Sequence, residues 1–205
     1  MRKIIPNTFQ NLLEINRGHF LLESGLHGDV WFDLEKAFIK PDLLRPFSEK
    51  LANILSQYDL SMICGALVSG AFIAYSIADI LRINFVYTER IHTCLSNKKY
   101  SVNYKLPTAI CSIIKNKRIG IIDDVINAGS AVTKTYHELK NYGANPVVMA
   151  SILTVGGIFP KTIPGEYPPI VSLEHLESNL WNPSDCPLCK SGKELIDPYR
   201  EEKES

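Results

Sequence analysis

The sequence predicts an α/β fold: a doubly wound, mostly parallel sheet, preceded by a small N-terminal appendage of one helix and two strands. Three observations carry this. Apolar strand-like runs (MICGALV, INFVYTE, KRIGIIDDV and NPVVMASILT) recur between residues 61 and 154. Helix-like segments, GAFIAYSIADILR and SAVTKTYHELKNYG, alternate with them. Strands with almost no polar interruption are those buried on both faces, as in a parallel sheet covered by crossover helices.

Taken in chain order, residues 7–17 predict a short amphipathic helix with Phe9, Leu12, Leu13 and Ile15 apolar and Gly18 as its stop. HFLLESGLHGDVWFDLE alternates on both sides of Ser24 and Gly25, which predicts two strands joined by a turn. Pro41 and Asp42 open a helix over 41–57, with Leu43, Leu44, Phe47, Leu51 and Ile54 at helical spacing. The alternating core follows, and Gly143 is the stop of its last helix. Seven of the twelve prolines lie between Pro160 and Pro198, which excludes long regular elements there. VSLEHL (171–176) reads as one edge strand, and the mostly charged KELIDPYREEKES is expected to fray. The expected division is 1–40, a core over 41–160, and a Pro-rich segment over 161–205.

Composition narrows the function classes. The 22 basic and 22 acidic residues cancel, so the bulk basic footprint of a nucleic-acid binder is absent. No apolar run reaches the ~18–20 residues of a membrane span, and MRKIIPNTFQNLLE lacks a signal-peptide core. Five cysteines, an odd count without a secretion signal, point to reduced thiols in a cytoplasm.

The chemistry concentrates in IGIIDDVINAGSAV (119–132). Four apolar residues lead into Asp123 and Asp124, and a small-residue loop then opens a helix. In an open α/β sheet, ligands bind beyond the carboxyl ends of the strands, where this sequence places two carboxylates. Small residues at 128–131 let several N–H groups converge on one anion, and the helix that follows aims its positive end at the same point. Ser130 adds a hydroxyl donor. Phosphate in the loop and ribose hydroxyls on the aspartates make a sugar phosphate the natural ligand. The competing reading is a strand end and a helix cap, since Asp is common at both. GALVSGAF (65–72) is no Walker loop, because Ala71 and Phe72 follow Gly70 in place of Lys and Ser/Thr, and a GxGxxG fingerprint is absent.

DDVINAGSAV resembles the 5-phosphoribosyl-1-pyrophosphate (PRPP) motif of type I phosphoribosyltransferases, and is most similar to that of orotate phosphoribosyltransferases. GHFLLESGLHGDVWFDLEKAF (18–38) is similar to the N-terminal hood of one bacterial branch of that family, and CPLCKSG (186–192) to its C-terminal signature. The resemblance implies a hood over 1–40 and transfer of phosphoribose from PRPP to a base, orotate first, with Mg²⁺ and a homodimer. It implies that Asp123 and Asp124 take the ribose hydroxyls and that Asn127, Ala128, Gly129, Ser130 and Ala131 hold the 5′-phosphate. Val68, Ser69 and Gly70 fall in the pyrophosphate loop. Glu89 and Arg90, then Lys98 and Lys99, fall where the family has a mobile basic lid; read from the residues alone, 89–107 is a solvated hairpin with ordinary surface lysines. Mg²⁺ would be held mostly by substrate oxygens and water, with Asp123 and Asp124 the only protein candidates.

The sequence departs from the family pattern at four places. Ser69 stands for a usual Gly and Asn127 for a usual Thr. Thr154 and Val155 stand where well-known members carry an Asp-Arg pair that holds the orotate carboxylate, and Glu23 stands where many carry Lys. A missing Arg–carboxylate contact costs on the order of 1.5–3 kcal/mol, so an uncharged or cationic base is the alternative acceptor. A regulator that binds PRPP without turnover, or a pseudo-enzyme, would also accommodate these departures. Cys186 and Cys189 have metal-ligand spacing but lack a second pair, with His175 the nearest helper in sequence. His27, in the expected hood turn, reads either as a residue that approaches a substrate or as a surface histidine, His137 reads as exposed, and Trp31, Phe32 and Phe38 read as core or interface.

Overall fold

The computed structural model describes residues 8–94, 100–157 and 166–198, with side chains throughout except at 92–94, 100 and 101. Its elements are β1 Glu14–Leu21, β2 His27–Asp33, α1 Glu35–Phe38, α2 Pro41–Leu55, β3 Met62–Ala66, α3 Ser69–Leu81, β4 Asn84–Cys94 and β5 Tyr100–Lys105. They continue with β6 Arg118–Ile126, α4 Ser130–Asn141, β7 Asn145–Val155, β8 Ile170–Leu176, β9 Leu180–Trp181 and α5 Pro187–Lys190.

Six strands form the main sheet in the order β5-β4-β3-β6-β7-β8. The β3–β4, β3–β6, β6–β7 and β7–β8 pairs are parallel, and β4–β5 is antiparallel. Alternation along the strands divides the core in two. Ile63, Ile122, Val148 and Ala150 pack on one face with Leu51 and Leu55 of α2 and Ile73 and Ile77 of α3. Met62, Cys64, Ile119, Ile121 and Met149 pack on the other with Val132 and Leu139 of α4. The sheet is therefore covered on both sides, as the apolar strands require. A second, three-stranded sheet, β1-β2-β9, joins the N-terminal hairpin to the far end of the chain.

Two expectations are corrected. The helix over 7–17 is only a 3₁₀ turn, Phe9–Leu12, and β1 already begins at Glu14, running through Gly18. Burial of Phe9 against Phe47 fixes the turn (ring centroids 5.5 Å apart), and pairing with β2 overrides the helical spacing of Leu13 and Ile15. The C-terminal segment does not wholly fray: Ile196 donates its N–H to the His19 carbonyl and accepts from Leu21, both at 2.8 Å. Residues 199–205 lie outside the described residues. Among those described, no helix is long and apolar enough to cross a membrane.

Candidate functional site

Asp123 and Asp124 sit near the carboxyl end of β6, a central strand flanked by β3 and β7. Asp123 Oδ1 accepts the Asp124 N–H at 3.2 Å, and Asp124 Oδ1 accepts the Val125 N–H at 2.8 Å. The second Asp124 oxygen, Oδ2, is buried with no hydrogen-bond partner among the described residues, as is Asn127 Oδ1 in the following loop. Burial, followed by the neighbouring Asp124 charge, pushes the Asp123 pKa well above the ordinary carboxylate value. Burial also raises Asp124, opposed by hydrogen bonds that include one with Ser69. Two carboxylates held this way are strongly biased toward donors, whether hydroxyl or cation.

Gly129 closes the loop in the left-handed region (φ +76°) and caps α4, which a side chain there would resist. Ser130 opens the helix, and its hydroxyl donates to Glu23 Oε1 at 2.8 Å. Glu23 comes from the β1–β2 turn, where Gly25 (φ +82°) lets the chain reverse. Its carboxylate also meets Arg90 Nε at 3.1 Å, the Tyr104 hydroxyl at 3.3 Å and Lys134 Nζ at 3.8 Å. The positive end of α4, where a phosphate is expected, thus receives one of the protein's own carboxylates. Burial lowers the Lys134 pKa, offset by Glu23; burial raises that of Tyr104.

The loop after β3 approaches the same point from the other side. A Cβ at Gly70 would lie 2.5 Å from Asp123 Oδ1 and 3.0 Å from Asp123 Cα, so only glycine lets α3 start this close to β6. Ser69 has no positive φ and tolerates its side chain. Gly70→Ala should lower stability by about 1–3 kcal/mol through overpacking and displace Asp123, read by urea unfolding; an unchanged midpoint would remove this contact from the account.

Asp123, Asp124, Ser69, Gly70, Asn127, Gly129, Ser130 and Arg90 are therefore brought together. Ala131 packs beneath them with Ala66, Val102 and Tyr104, while half-buried Ala128 fills the loop and Val68 is exposed. Glu89 is not brought in: it is exposed, on the opposite face of β4 from Arg90. Lys98 and Lys99 lie outside the described residues. Lys105, from the same basic segment, is tied to buried Glu138 at 2.9 Å. Sequence reasoning misses Lys134 and Tyr104. Lys134 is findable, one helical turn after Ser130 and on the same face; Tyr104 reaches the site only through strand pairing.

Beside the loop a cavity of about 500 Å³ is lined by Ile126, Asn127, Thr154, Tyr167, Ser172 and His175, among others. The Thr154 hydroxyl lies 3.1 Å from both Ser172 Oγ and His175 Nδ1. His175 is thus engaged here and with Glu177, away from the cysteine pair it was expected to help. His137 is exposed as expected, whereas His27 is buried.

No family model matches the chain. It is 28% identical over 176 residues to an orotate phosphoribosyltransferase of Thermotoga maritima, covering 85% of this chain and 86% of that one. It resembles the crystal structure of orotate phosphoribosyltransferase from Aeropyrum pernix (TM-score 0.60, 18% identity, 81% of this chain and 89% of that one). Adenine phosphoribosyltransferase from Trypanosoma brucei, in complex with AMP, pyrophosphate and ribose-5-phosphate, is equally similar (TM-score 0.61, 20% identity, 82% and 77%). The chain carries the type I phosphoribosyltransferase fold and is, over most of its length, a sequence relative of orotate phosphoribosyltransferases.

Proposed function

We propose that the protein transfers 5-phosphoribose from PRPP to a ring nitrogen of a base and releases pyrophosphate. Orotate is the first acceptor, giving orotidine 5′-monophosphate for pyrimidine nucleotide synthesis. One observation carries the reading: a carboxylate pair, Asp124 buried and Asp123 half-buried, with one oxygen that has no hydrogen-bond partner among the described residues, lies beside a helix N-terminus that already holds an anion, the Glu23 carboxylate. A sugar phosphate supplies the hydroxyls for the first and the phosphate for the second.

In this reading the Asp123 and Asp124 carboxylates accept from the ribose hydroxyls and fix the sugar. The amides of Asn127 to Ala131 and the Ser130 hydroxyl hold the 5′-phosphate once Glu23 withdraws. Ser69, Gly70 and Val68 border the pyrophosphate, and Arg90 supplies positive charge near it. Lys98 and Lys99 are assigned to the same leaving group by resemblance alone. Displacement at the anomeric carbon asks for positioning and charge stabilisation more than for a protein nucleophile. The oxygen-only donor set, with an Asp124 Oδ2 that has no hydrogen-bond partner among the described residues, suits a hard cation such as Mg²⁺. Bound with the substrate, Mg²⁺ would neutralise charge on the departing pyrophosphate.

A cytoplasmic homodimer completes the proposal. Val68, just before α3, and Phe72 and Tyr75 in its first two turns, spaced 4 and 3 residues apart, are more than half exposed, and Phe72 lies 5.9 Å from Phe38. A second copy would cover such a stripe.

A different base is favoured by one observation: Thr154 offers the cavity a hydroxyl where a guanidinium would answer a carboxylate, and among the described residues no Lys or Arg lines it. Calorimetric titration of PRPP with and without Mg²⁺, then pyrophosphate release over orotate, uracil and purine bases, tests both. Release with orotate is expected. Release only with an uncharged base changes the acceptor, binding without release indicates a regulator, and neither indicates a pseudo-enzyme.

A further inference from the structure

We propose that His19, His27, Cys186 and Cys189 form a structural zinc site that fastens the C-terminal segment to the hood. Their ligand atoms all lie within 4.8 Å of one another. His19 Nε2 is 2.9 Å from His27 Nδ1, 3.4 Å from Cys186 Sγ and 3.7 Å from Cys189 Sγ, and Cys189 Sγ is 3.3 Å from His27 Nδ1. A tetrahedral zinc with Zn–S of about 2.3 Å and Zn–N of about 2.0–2.1 Å sets its ligands roughly 3.3–3.8 Å apart. The sulfur–nitrogen separations fit that range, and the two nitrogens need part by only a few tenths of an ångström.

The surroundings are those of a metal site. His19 Nδ1 lies 2.9 Å from the Lys193 carbonyl, so it carries the proton and leaves Nε2 with its lone pair toward the cluster. His19, His27 and Cys186 are almost fully buried, and Cys189 lies at the surface. The strand geometry brings the histidines together. Leu21 pairs with His27 across the hairpin, so His19, two residues back, shares the His27 face. An irregularity in pairing between Arg17 and Phe20 adjusts His19 within β1. Cys186 caps the short α5 and Cys189 lies within it, and Gly192 (φ +72°) follows its end.

Four protein ligands leave no open position, which makes the site structural rather than catalytic. Two thiolates balance the dication, and an S₂N₂ tetrahedron selects zinc over oxygen-seeking cations. His19 and Cys186 are 167 residues apart, so the ion would close a loop that takes in most of the chain. It also stands at the base of the Leu22–Leu26 turn that delivers Glu23 to α4.

The test is on the full chain purified without chelators from zinc-supplemented medium. Mass spectrometry should find about one zinc per chain, and cobalt exchange should give the intense visible bands of a tetrahedral ion with a thiolate-to-cobalt charge-transfer band. Chelation should lower Tm by roughly 5 °C or more. Cys189→Ser, at an exposed position, should weaken metal retention more than about tenfold and lose part of the charge-transfer band, while Cys111→Ser keeps both. Substoichiometric zinc with an octahedral cobalt spectrum overturns the proposal, leaving a hydrogen-bonded cluster. So does loss of two titratable thiols to a Cys186–Cys189 disulfide. Metal content does not depend on turnover, so this outcome and that of the transferase assay are read independently.

Discussion

Changing both Asp123 and Asp124 to Asn should remove phosphoribosyl transfer and at the same time make the ligand-free protein more heat-stable at neutral pH. The loss follows from contacts with the sugar. A hydroxyl bonded to a carboxylate is worth about 1.5–3 kcal/mol, so losing two such contacts lowers kcat/KM for PRPP by about 10²- to 10⁴-fold. The gain follows from linkage. The folded pKa of Asp123 lies above its ordinary value of 3.8, chiefly through burial and then through Asp124. Between those two values the native state binds more protons than the unfolded chain. Stability is therefore full below the ordinary value and falls as pH rises through the shifted one. Asn carries no charge to bury and keeps the Oδ1 acceptors that meet the Asp124 and Val125 amides. Tm of the variant should exceed that of the parent at neutral pH and converge with it in acid. Adding PRPP should then raise only the parent's Tm. A variant that is less stable at neutral pH, or as active as the parent, would refute the role given to the pair.

The same residues show why this site is legible in sequence and other parts are not. Asp123, Asp124 and Ser130 are local: strand, loop and helix start follow one another within a dozen residues, and periodicity alone places them at the carboxyl edge of the sheet. The alternating strands and helices of the core are local in the same sense, and each falls where its apolar pattern puts it. The N-terminal turn escapes such a reading because Leu13 and Ile15 fit a helix as well as a strand, and only pairing with β2 decides. Glu23, Tyr104 and the His19–His27–Cys186–Cys189 cluster depend on contacts between distant segments. His19 and His27 flank a predictable hairpin turn, and that spacing is the one available clue. Nothing in the local pattern of CPLC says which histidines complete it, and the nearer His175 is held by Thr154 and Glu177.

Glu23→Gln should lower KM for PRPP by about tenfold at low ionic strength while leaving kcat nearly unchanged. The Glu23 carboxylate accepts the Ser130 hydroxyl at the start of α4 and also faces Arg90 and Lys134. A 5′-phosphate entering the loop meets this negative charge and must displace it. Two unit charges about 4 Å apart at an effective dielectric near 20 interact by ~4 kcal/mol. Withdrawal of the side chain and solvent reduce this, and a remainder near 1.4 kcal/mol corresponds to the tenfold change. Gln preserves the shape and the acceptor for Ser130 but not the charge. The ion pairs it removes are only partly buried and contribute little to stability. Because the effect is electrostatic and reaches the surface, raising the salt should shrink the difference between variant and parent. The substitution also removes a charge that would repel a carboxylated base, so the orotate KM should fall by more than that of uracil if both are accepted. A rise in the PRPP KM would reverse the picture: Glu23 would then hold Arg90 and Lys134 in place for the phosphate rather than compete with it.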